Sequence, residues 1–145
     1  MQPNIIRPIA ICVFQHNGCI LVAEGYDPLK RQTFYRPLGG AIEFGEYSVD
    51  TIARELTEEL GAAVVDLRYL GALENVFTFD GRPGHEIVMV YDGAFADASL
   101  YDQAAIDGVE DTGHPFRAVW VSLADSLDPA APPVYPTGLL ELLTS

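Results

Sequence analysis

Residues 39–62 read GGAIEFGEYSVDTIARELTEELGA, a glycine-containing loop that leads into an amphipathic helix. Ser48 is a good N-cap residue, Asp50 falls in the first turn where the helix dipole favours negative charge, and Gly61 is suited to end the helix. Apolar residues at helical spacing form a stripe of Val49, Ile52, Ala53, Leu56 and Leu60. The pattern predicts a helix from near Ser48 to Gly61 with one face packed on a core.

The last turns of this helix carry three glutamates, Glu55, Glu58 and Glu59. Carboxylates four residues apart repel by about 0.2–0.5 kcal/mol, and negative charge near a helix C-terminus costs roughly 0.3–1 kcal/mol more. Arg54 neutralises only one of these charges. On a helical wheel Glu55 and Glu59 border the apolar stripe and Glu58 lies farther round. Such a cluster beside a cleft would suit a hard divalent cation, and the alternative is a solvated acidic face.

The spacing of these residues resembles the Nudix box of the Nudix hydrolase family, a glycine, a glutamate and then Arg-Glu-aliphatic-x-Glu-Glu-x-Gly-aliphatic. The matching residues are Gly40, Glu46, Arg54, Glu55, Leu56, Glu58, Glu59 and Gly61. The last aliphatic position differs, because Ala62 is small. The resemblance implies an α/β fold, a Nudix-type α/β/α sandwich with a mixed β-sheet between helices.

The same resemblance implies a metal site for Mg²⁺ or Mn²⁺. Glu59 would be its principal ligand, with Glu55, Glu58 and a backbone carbonyl of Gly39 or Gly40 completing the set. The general base would be Glu55 or Glu58.

Three further residues have implied roles in the site. Glu46 and Arg54 would pair and lock the loop against the helix. Glu86, at the start of a strand, would be a further metal ligand or a reserve base, and its alternative is an exposed strand-end carboxylate.

The implied reaction is metal-dependent hydrolysis of a nucleoside diphosphate linked to another moiety, by attack of water at phosphorus. The alternative is a catalytically inactive Nudix-like domain that binds a nucleotide or a protein. The intact glutamates favour the enzyme, because without metal those charges only repel. An isomerase of the same fold is disfavoured, since nothing in the sequence indicates isoprenoid chemistry.

Four residues outside the box are candidates for substrate binding. Arg36 and Arg82 are scarce positive charges suited to phosphate contact. Tyr35 offers a ring for stacking on a base, and His85 a polar contact to a phosphate or base. For each of them an ordinary surface or core role is the alternative.

Composition limits the partners. The chain has 145 residues, 49% of them hydrophobic, so we expect one domain over residues 1–145. Its net charge of −13 excludes binding modes that need a basic groove for a nucleic-acid polymer or a basic face for an anionic membrane. A small nucleotide bridged by metal ions stays compatible with that charge.

Residues 1–14 show no export signal, so we expect a cytoplasmic protein with free thiols at Cys12 and Cys19. The resemblance leaves a homodimer open.

The remaining elements follow from turn residues and strand composition. Asn17-Gly18 predicts a hairpin that pairs His16 with Cys19, and Cys12 with Ala23. Residues 37–40, PLGG, are expected to end the short strand 33–36, and residues 96–113 to form a loop or a weak helical turn. The predicted strands are 9–14, 19–23, 33–36, 63–71, 74–79, 85–95 and 116–121, and the predicted short helices are 123–127 and 138–143.

Overall fold

The computed structural model describes residues 4–145, so Met1, Gln2 and Pro3 of the expected domain lie outside the described residues. Strands β1 (Arg7–His16) and β2 (Cys19–Asp27) form the predicted hairpin. Asn17 and Gly18 have φ values of 52° and 76°, which a type I′ turn requires. The pairing of His16 with Cys19 is confirmed.

That hairpin is paired only near its turn. Beyond Gln15 and Ile20 the two strands separate, and Cys12 lies opposite Leu38 and Tyr91. The expected pairing of Cys12 with Ala23 is therefore wrong, because β1 exchanges β2 for other partners. Both cysteines are free thiols, as predicted.

The other elements complete a mixed sheet. They are β3 (Gln32–Arg36), β4 (Leu38–Ala41), α1 (Ser48–Leu60), β5 (Val64–Phe79), β6 (Arg82–Phe95), a 3₁₀ turn (Ala98–Asp102), β7 (Ala105–Val109), β8 (Pro115–Ser122), α2 (Leu123–Ser126) and α3 (Leu139–Thr144). The strand order is β5-β6-β1-β2-β8-β7, with β3 added to β2 and β4 to β1. Strands β1 and β6 run parallel and the other strand pairs of residues 4–145 run antiparallel.

Alternation along β1 separates the two faces of the sheet. Ala10, Cys12 and Phe14 share one buried cluster with Ile52 and Leu56 of α1. The intervening residues pack with Leu139 of α3 in a second cluster on the opposite face; they are Ile9, Ile11 and Val13. Helices thus cover both faces, and the predicted α/β/α sandwich is confirmed. No helix within residues 4–145 combines the length and the apolar character that a bilayer crossing requires.

Helix α1 ends as predicted and begins differently. Gly61 has φ 64° and caps the C-terminus in the left-handed conformation. The N-cap is Tyr47, with no side-chain cap bond, and the prediction of Ser48 is wrong. The Ser48 hydroxyl instead lies 2.6 Å from the hydroxyl of Tyr91, so tertiary contact replaces local capping.

The buried face of α1 is rotated from the predicted stripe. Val49 and Ala53 are exposed, whereas Thr51 and Glu55 are buried beside Ile52. Neighbouring strands cover the side of α1 that carries polar residues, and the wheel alone gives no sign of this. A carboxylate of the box consequently lies inside the fold.

Three segments differ from their predicted structure. Strand β3 ends at Arg36 as predicted, but residues 38–41 form a further strand, β4, which hydrogen-bonds to β1. Residues 63–71 and 74–79 are one strand, β5, with irregularities between Val65 and Arg68 and between Tyr69 and Gly71. The predicted loop 96–113 contains β7, which pairs with β8. The short helices α2 and α3 lie within about one residue of the predicted ranges.

Candidate active site

The sheet opens into a cleft of about 600 Å³ where β1 and β2 separate. Ile9, Ile11 and Val88 line it from the face covered by α3, and Phe34 lines it from β3. Helix α1 and residues 110–112, between β7 and β8, supply an acidic side. The cleft therefore combines apolar walls with carboxylates.

Helix α1 presents its three glutamates to different depths. Glu55 is 2% exposed, Glu59 is half-buried and Glu58 is exposed, and the helical wheel predicts the greater exposure of Glu58. Oxygens of Glu55, Glu58 and Asp111 all lie within 4.8 Å of one another, and we refer to these three residues as the acidic cluster. Glu55, Glu59 and Asp111 line the cleft itself.

Glycine at position 40 makes room for this arrangement. A Cβ atom on Gly40 would lie 2.5 Å from Oε1 of Glu55, which is too close for any real side chain. Gly39 has φ 156°, and a Cβ there would overlap the backbone carbonyl of Ala10. The glycines of β4 thus allow a carboxylate to lie directly against the backbone.

The carboxylate of Glu59 lies in an environment that disfavours its ionised form. Its Oε1 is buried without a hydrogen-bond partner among residues 4–145. Burial, followed by the charges of Glu55 and Asp111, raises the pKa of Glu59 to about 8. Burial and then Asp111 also raise the pKa of Glu55. Arg54 only partly offsets the rise in the pKa of Glu55, and within residues 4–145 no cation forms a salt bridge with Glu59.

Arg54 fixes the loop before α1 and one carboxylate of the cluster. Its guanidinium donates two hydrogen bonds to Glu46, from Nε at 2.9 Å and from Nη2 at 3.0 Å. It also donates to Glu55 at 2.9 Å, to Glu58 at 3.3 Å and to the carbonyl of Ala41 at 3.1 Å. The hydrogen bonds from Arg54 lower the pKa of Glu46 to about 2. The guanidinium therefore joins the loop, β4 and α1.

The chemistry of this donor set fits a divalent cation. All its ligating atoms are carboxylate oxygens, which Mg²⁺ and Mn²⁺ prefer. A cation in the cleft would give the unpartnered oxygen of Glu59 a binding partner and would favour the ionised form of Glu55, whose pKa is raised.

Asp111 was not among the predicted residues, because it reaches the cluster through the unpredicted strand β7. The sequence signal was only an acidic pair, Glu110-Asp111.

Glu86 also lines the cleft but lies outside the acidic cluster. It is 6% exposed and accepts a hydrogen bond from Nδ2 of Asn75 at 3.2 Å. Its nearest cation is Arg7, 3.8 Å from Oε2. The expected alternative of an exposed strand-end residue is wrong, because this end of β6 lies between β5 and β1, where Glu86 pairs with Asn75 and Arg7.

The predicted substrate-binding residues are divided by the structure. Arg36 lines the cleft, and its charge partly offsets the rise in the pKa of Glu59. Tyr35 alternates with Arg36 on β3 and packs against the core under α3, outside the cleft. His85 alternates with Glu86 on β6, and Arg82 is exposed at the start of that strand. Neither of these two residues lines the cleft.

Comparison with known proteins matches the chain to one family. A family model described as the NUDIX domain matches residues 6–138. Over 70 residues the chain is 34% identical to the NAD-capped RNA hydrolase NudC of Vibrio parahaemolyticus, a match that covers 48% of this chain and 26% of that protein. The chain thus spans about a quarter of the length of that curated relative.

Solved structures show the same fold. A MutT NUDIX hydrolase from Burkholderia pseudomallei superposes with a TM-score of 0.65 at 20% identity, covering 97% of this chain and 99% of that one. A NUDIX hydrolase from Nitrosomonas europaea superposes with a TM-score of 0.66 at 17% identity, covering 97% and 87%.

Proposed function

Because the chain belongs to the Nudix hydrolase family, we propose that it hydrolyses a phosphoanhydride bond in a nucleoside diphosphate linked to another moiety, with the help of divalent cations. The observation that carries the proposal is the acidic cluster beside the unpartnered oxygen of Glu59 in one cleft. A diphosphate is the substrate group that can share cations with such carboxylates.

The metal-holding residues in this proposal are Glu55, Glu58, Glu59 and Asp111. The carbonyl of Gly40 is a candidate for a further oxygen, since the backbone there adjoins the Glu55 carboxylate. A bound Mg²⁺ or Mn²⁺ would supply Lewis acidity, neutralising phosphate charge and lowering the pKa of an attacking water. Glu86 is better accounted for in another role, because its carboxylate is already bonded to Asn75.

Glu58 is our choice as the general base. The guanidinium of Arg54 lies 2.9 Å from the buried Glu55 carboxylate, whereas Glu58 is exposed and lies 3.3 Å from Arg54. A carboxylate that is neither buried nor held by a short ion pair can accept the proton of a water directed at phosphorus. Arg54 and Glu46 act as positioning residues, since they hold the loop and Glu55 in register.

Arg36 is our choice for the contact with a substrate phosphate. It lines the cleft near enough to Glu59 for its charge to lower the pKa of that carboxyl group. A guanidinium beside carboxylates can hold a phosphate oxygen while the cations balance the acidic side.

The test is a hydrolysis assay of the purified chain on nucleoside triphosphates, nucleotide sugars, ADP-ribose, dinucleoside polyphosphates and an NAD-capped RNA oligonucleotide. The last substrate is included because the NudC relative is named for it. We expect turnover of at least one small nucleotide with Mg²⁺ or Mn²⁺, and none with a chelator. Glu59→Gln should abolish turnover, and Glu74→Gln, an exposed residue of β5, should not.

If the wild-type protein hydrolysed none of these substrates, the result would contradict the proposal and favour a nucleotide-binding domain without catalysis. Turnover retained by Glu59→Gln would contradict the assigned metal site.

A further inference from the structure

A second polar feature of the cleft lies on strands β5 and β6. Asn75 and Glu86 pair directly across the two strands and are only 4% and 6% exposed. Both line the cleft, and neither belongs to the acidic cluster. Two buried polar side chains that face an open cleft need a reason beyond packing, because burial of such groups costs free energy unless they are fully hydrogen-bonded.

The hydrogen bonds fix how this pair faces the cleft. The backbone N–H of Thr137 donates to Oδ1 of Asn75 at 3.2 Å, which orients the amide. Nδ2 of Asn75 then donates to Oε1 of Glu86 at 3.2 Å. Within residues 4–145, Oε2 of Glu86 accepts no hydrogen bond, and its nearest cation, on the half-exposed Arg7, is 3.8 Å away. The pair keeps one amide N–H and several carboxylate lone pairs for a ligand.

Aromatic rings line the same cleft as this polar pair. Two residues along the ladder, on the same face, Phe77 pairs with Gly84, and its ring lies over that glycine, where a Cβ would come within 2.5 Å of Cε2. From the facing wall, Phe34 meets Phe79 and Tyr135, each with 5.8 Å between ring centroids. All four rings line the cleft. Aromatic faces of this kind stack on planar heterocycles.

We propose that Asn75 and Glu86 read the edge of a guanine-type base that stacks against Phe77 and its aromatic neighbours. Guanine presents one acceptor, O6, followed by two donors, N1–H and the exocyclic N2–H₂. The remaining N–H of Asn75 matches the acceptor, and the carboxylate of Glu86 matches the two donors. The inference rests on the proposed function and specifies its substrate class.

The other common bases match this pair less well. Adenine and cytosine each place one donor beside a ring acceptor, so a ring lone pair would oppose the Glu86 carboxylate. Uracil has one donor between two acceptors, so one carboxylate oxygen would face a carbonyl. A site that leaves a buried carboxylate unpaired discriminates strongly against such ligands.

Binding of four nucleoside diphosphates, with guanine, adenine, cytosine and uracil, tests the inference by calorimetry in Mg²⁺. We expect the guanine nucleotide to bind about 10- to 100-fold more tightly than the adenine nucleotide. The isosteric Glu86→Gln should bring the four affinities within about threefold of one another. Asn75→Ala should weaken guanine binding most, and Glu74→Gln on the same strand should leave all four unchanged. Circular dichroism establishes that each variant is folded.

Three results would overturn the inference. The wild-type protein would show no preference for guanine, or Glu86→Gln would weaken all four nucleotides equally, as loss of a metal ligand would. Alternatively, 2′-deoxynucleotides would bind more weakly than ribonucleotides while affinity did not depend on the base, which would indicate a contact to the ribose. Guanine binding that depends on Glu86, together with no hydrolysis, would instead support this inference and contradict the proposed reaction.

Discussion

Gly40 lies so close to Glu55 that a Cβ at residue 40 would come within 2.5 Å of the carboxylate oxygen Oε1. The glycine belongs to β4 and the glutamate to α1, so the helix packs against the strand through the buried carboxyl group of Glu55. This contact determines where Glu55 meets Glu58 and Asp111.

Gly40→Ala should therefore displace the Glu55 carboxylate. We expect kcat/KM for the best substrate to fall about 100-fold, because a shift of about 1 Å in a positioned group has effects of that size. The measurement is hydrolysis at saturating Mg²⁺. Calorimetric Mg²⁺ affinity in the Glu55→Ala background is the control, since Gly40→Ala should add little once the side chain that its Cβ displaces has been removed. Full activity of a folded Gly40→Ala variant would contradict this role of Gly40.

The metal-free protein should lose stability as the pH rises. The pKa of Glu59 is raised from 4.5 to about 8, so the folded state binds its proton more tightly than the unfolded state does. The stabilisation is complete below about pH 4.5 and is lost progressively up to about pH 8, at no more than about 1.4 kcal/mol per pH unit for one proton. Urea denaturation in a chelator at pH 6 and pH 8 measures it.

In that experiment Glu59→Gln should show a smaller decrease between the two pH values, because glutamine does not titrate. Saturating Mg²⁺ should restore the stability of the wild-type protein at pH 8. Identical pH dependence in the two proteins would rule out Glu59 as the titrating group.

Asp111→Asn tests the residue that the sequence did not reveal. Loss of its charge removes one member of the acidic cluster and one cause of the raised pKa of Glu59. We expect Mg²⁺ affinity to fall about tenfold, measured by calorimetry at pH 7.5. Asp107→Asn, exposed on β7, is the matched control. Equal Mg²⁺ affinities in the two variants would remove Asp111 from the site.

Arg54→Lys should weaken both the fold and catalysis. A lysine cannot keep the two hydrogen bonds to Glu46 and the bond to Glu55 at the same time. We expect the free energy of unfolding to fall by about 1–3 kcal/mol and kcat to fall with it. Arg68→Lys, at an exposed arginine, should change neither. Wild-type kcat in Arg54→Lys would show that the guanidinium positions nothing that the reaction needs.

Local signals predicted the parts of the molecule that local interactions build. The Asn17-Gly18 turn, the cap at Gly61 and the greater exposure of Glu58 on α1 all depend on residues close in sequence. The box spacing fixed the family for the same reason. Ser48 shows the limit, since its hydroxyl bonds to Tyr91, a residue far along the chain.

The missed features depend on pairing between distant segments. Strand β7 is five residues long and contains Asp107 and Gly108, so only its pairing with β8 makes it a strand. Asp111 reaches the acidic cluster through that pairing. Asn75 is likewise one polar residue in an apolar strand until Glu86 is brought opposite it.

Binding of Mn²⁺, measured by electron paramagnetic resonance in the wild-type protein, Glu59→Gln and Glu74→Gln, tests the central claim most directly. The account predicts that the wild type and Glu74→Gln bind Mn²⁺ equally, and that Glu59→Gln binds it at least about tenfold more weakly. Equal Mn²⁺ affinity in all three proteins, or no binding by the wild type, would contradict a metal site built on these carboxylates.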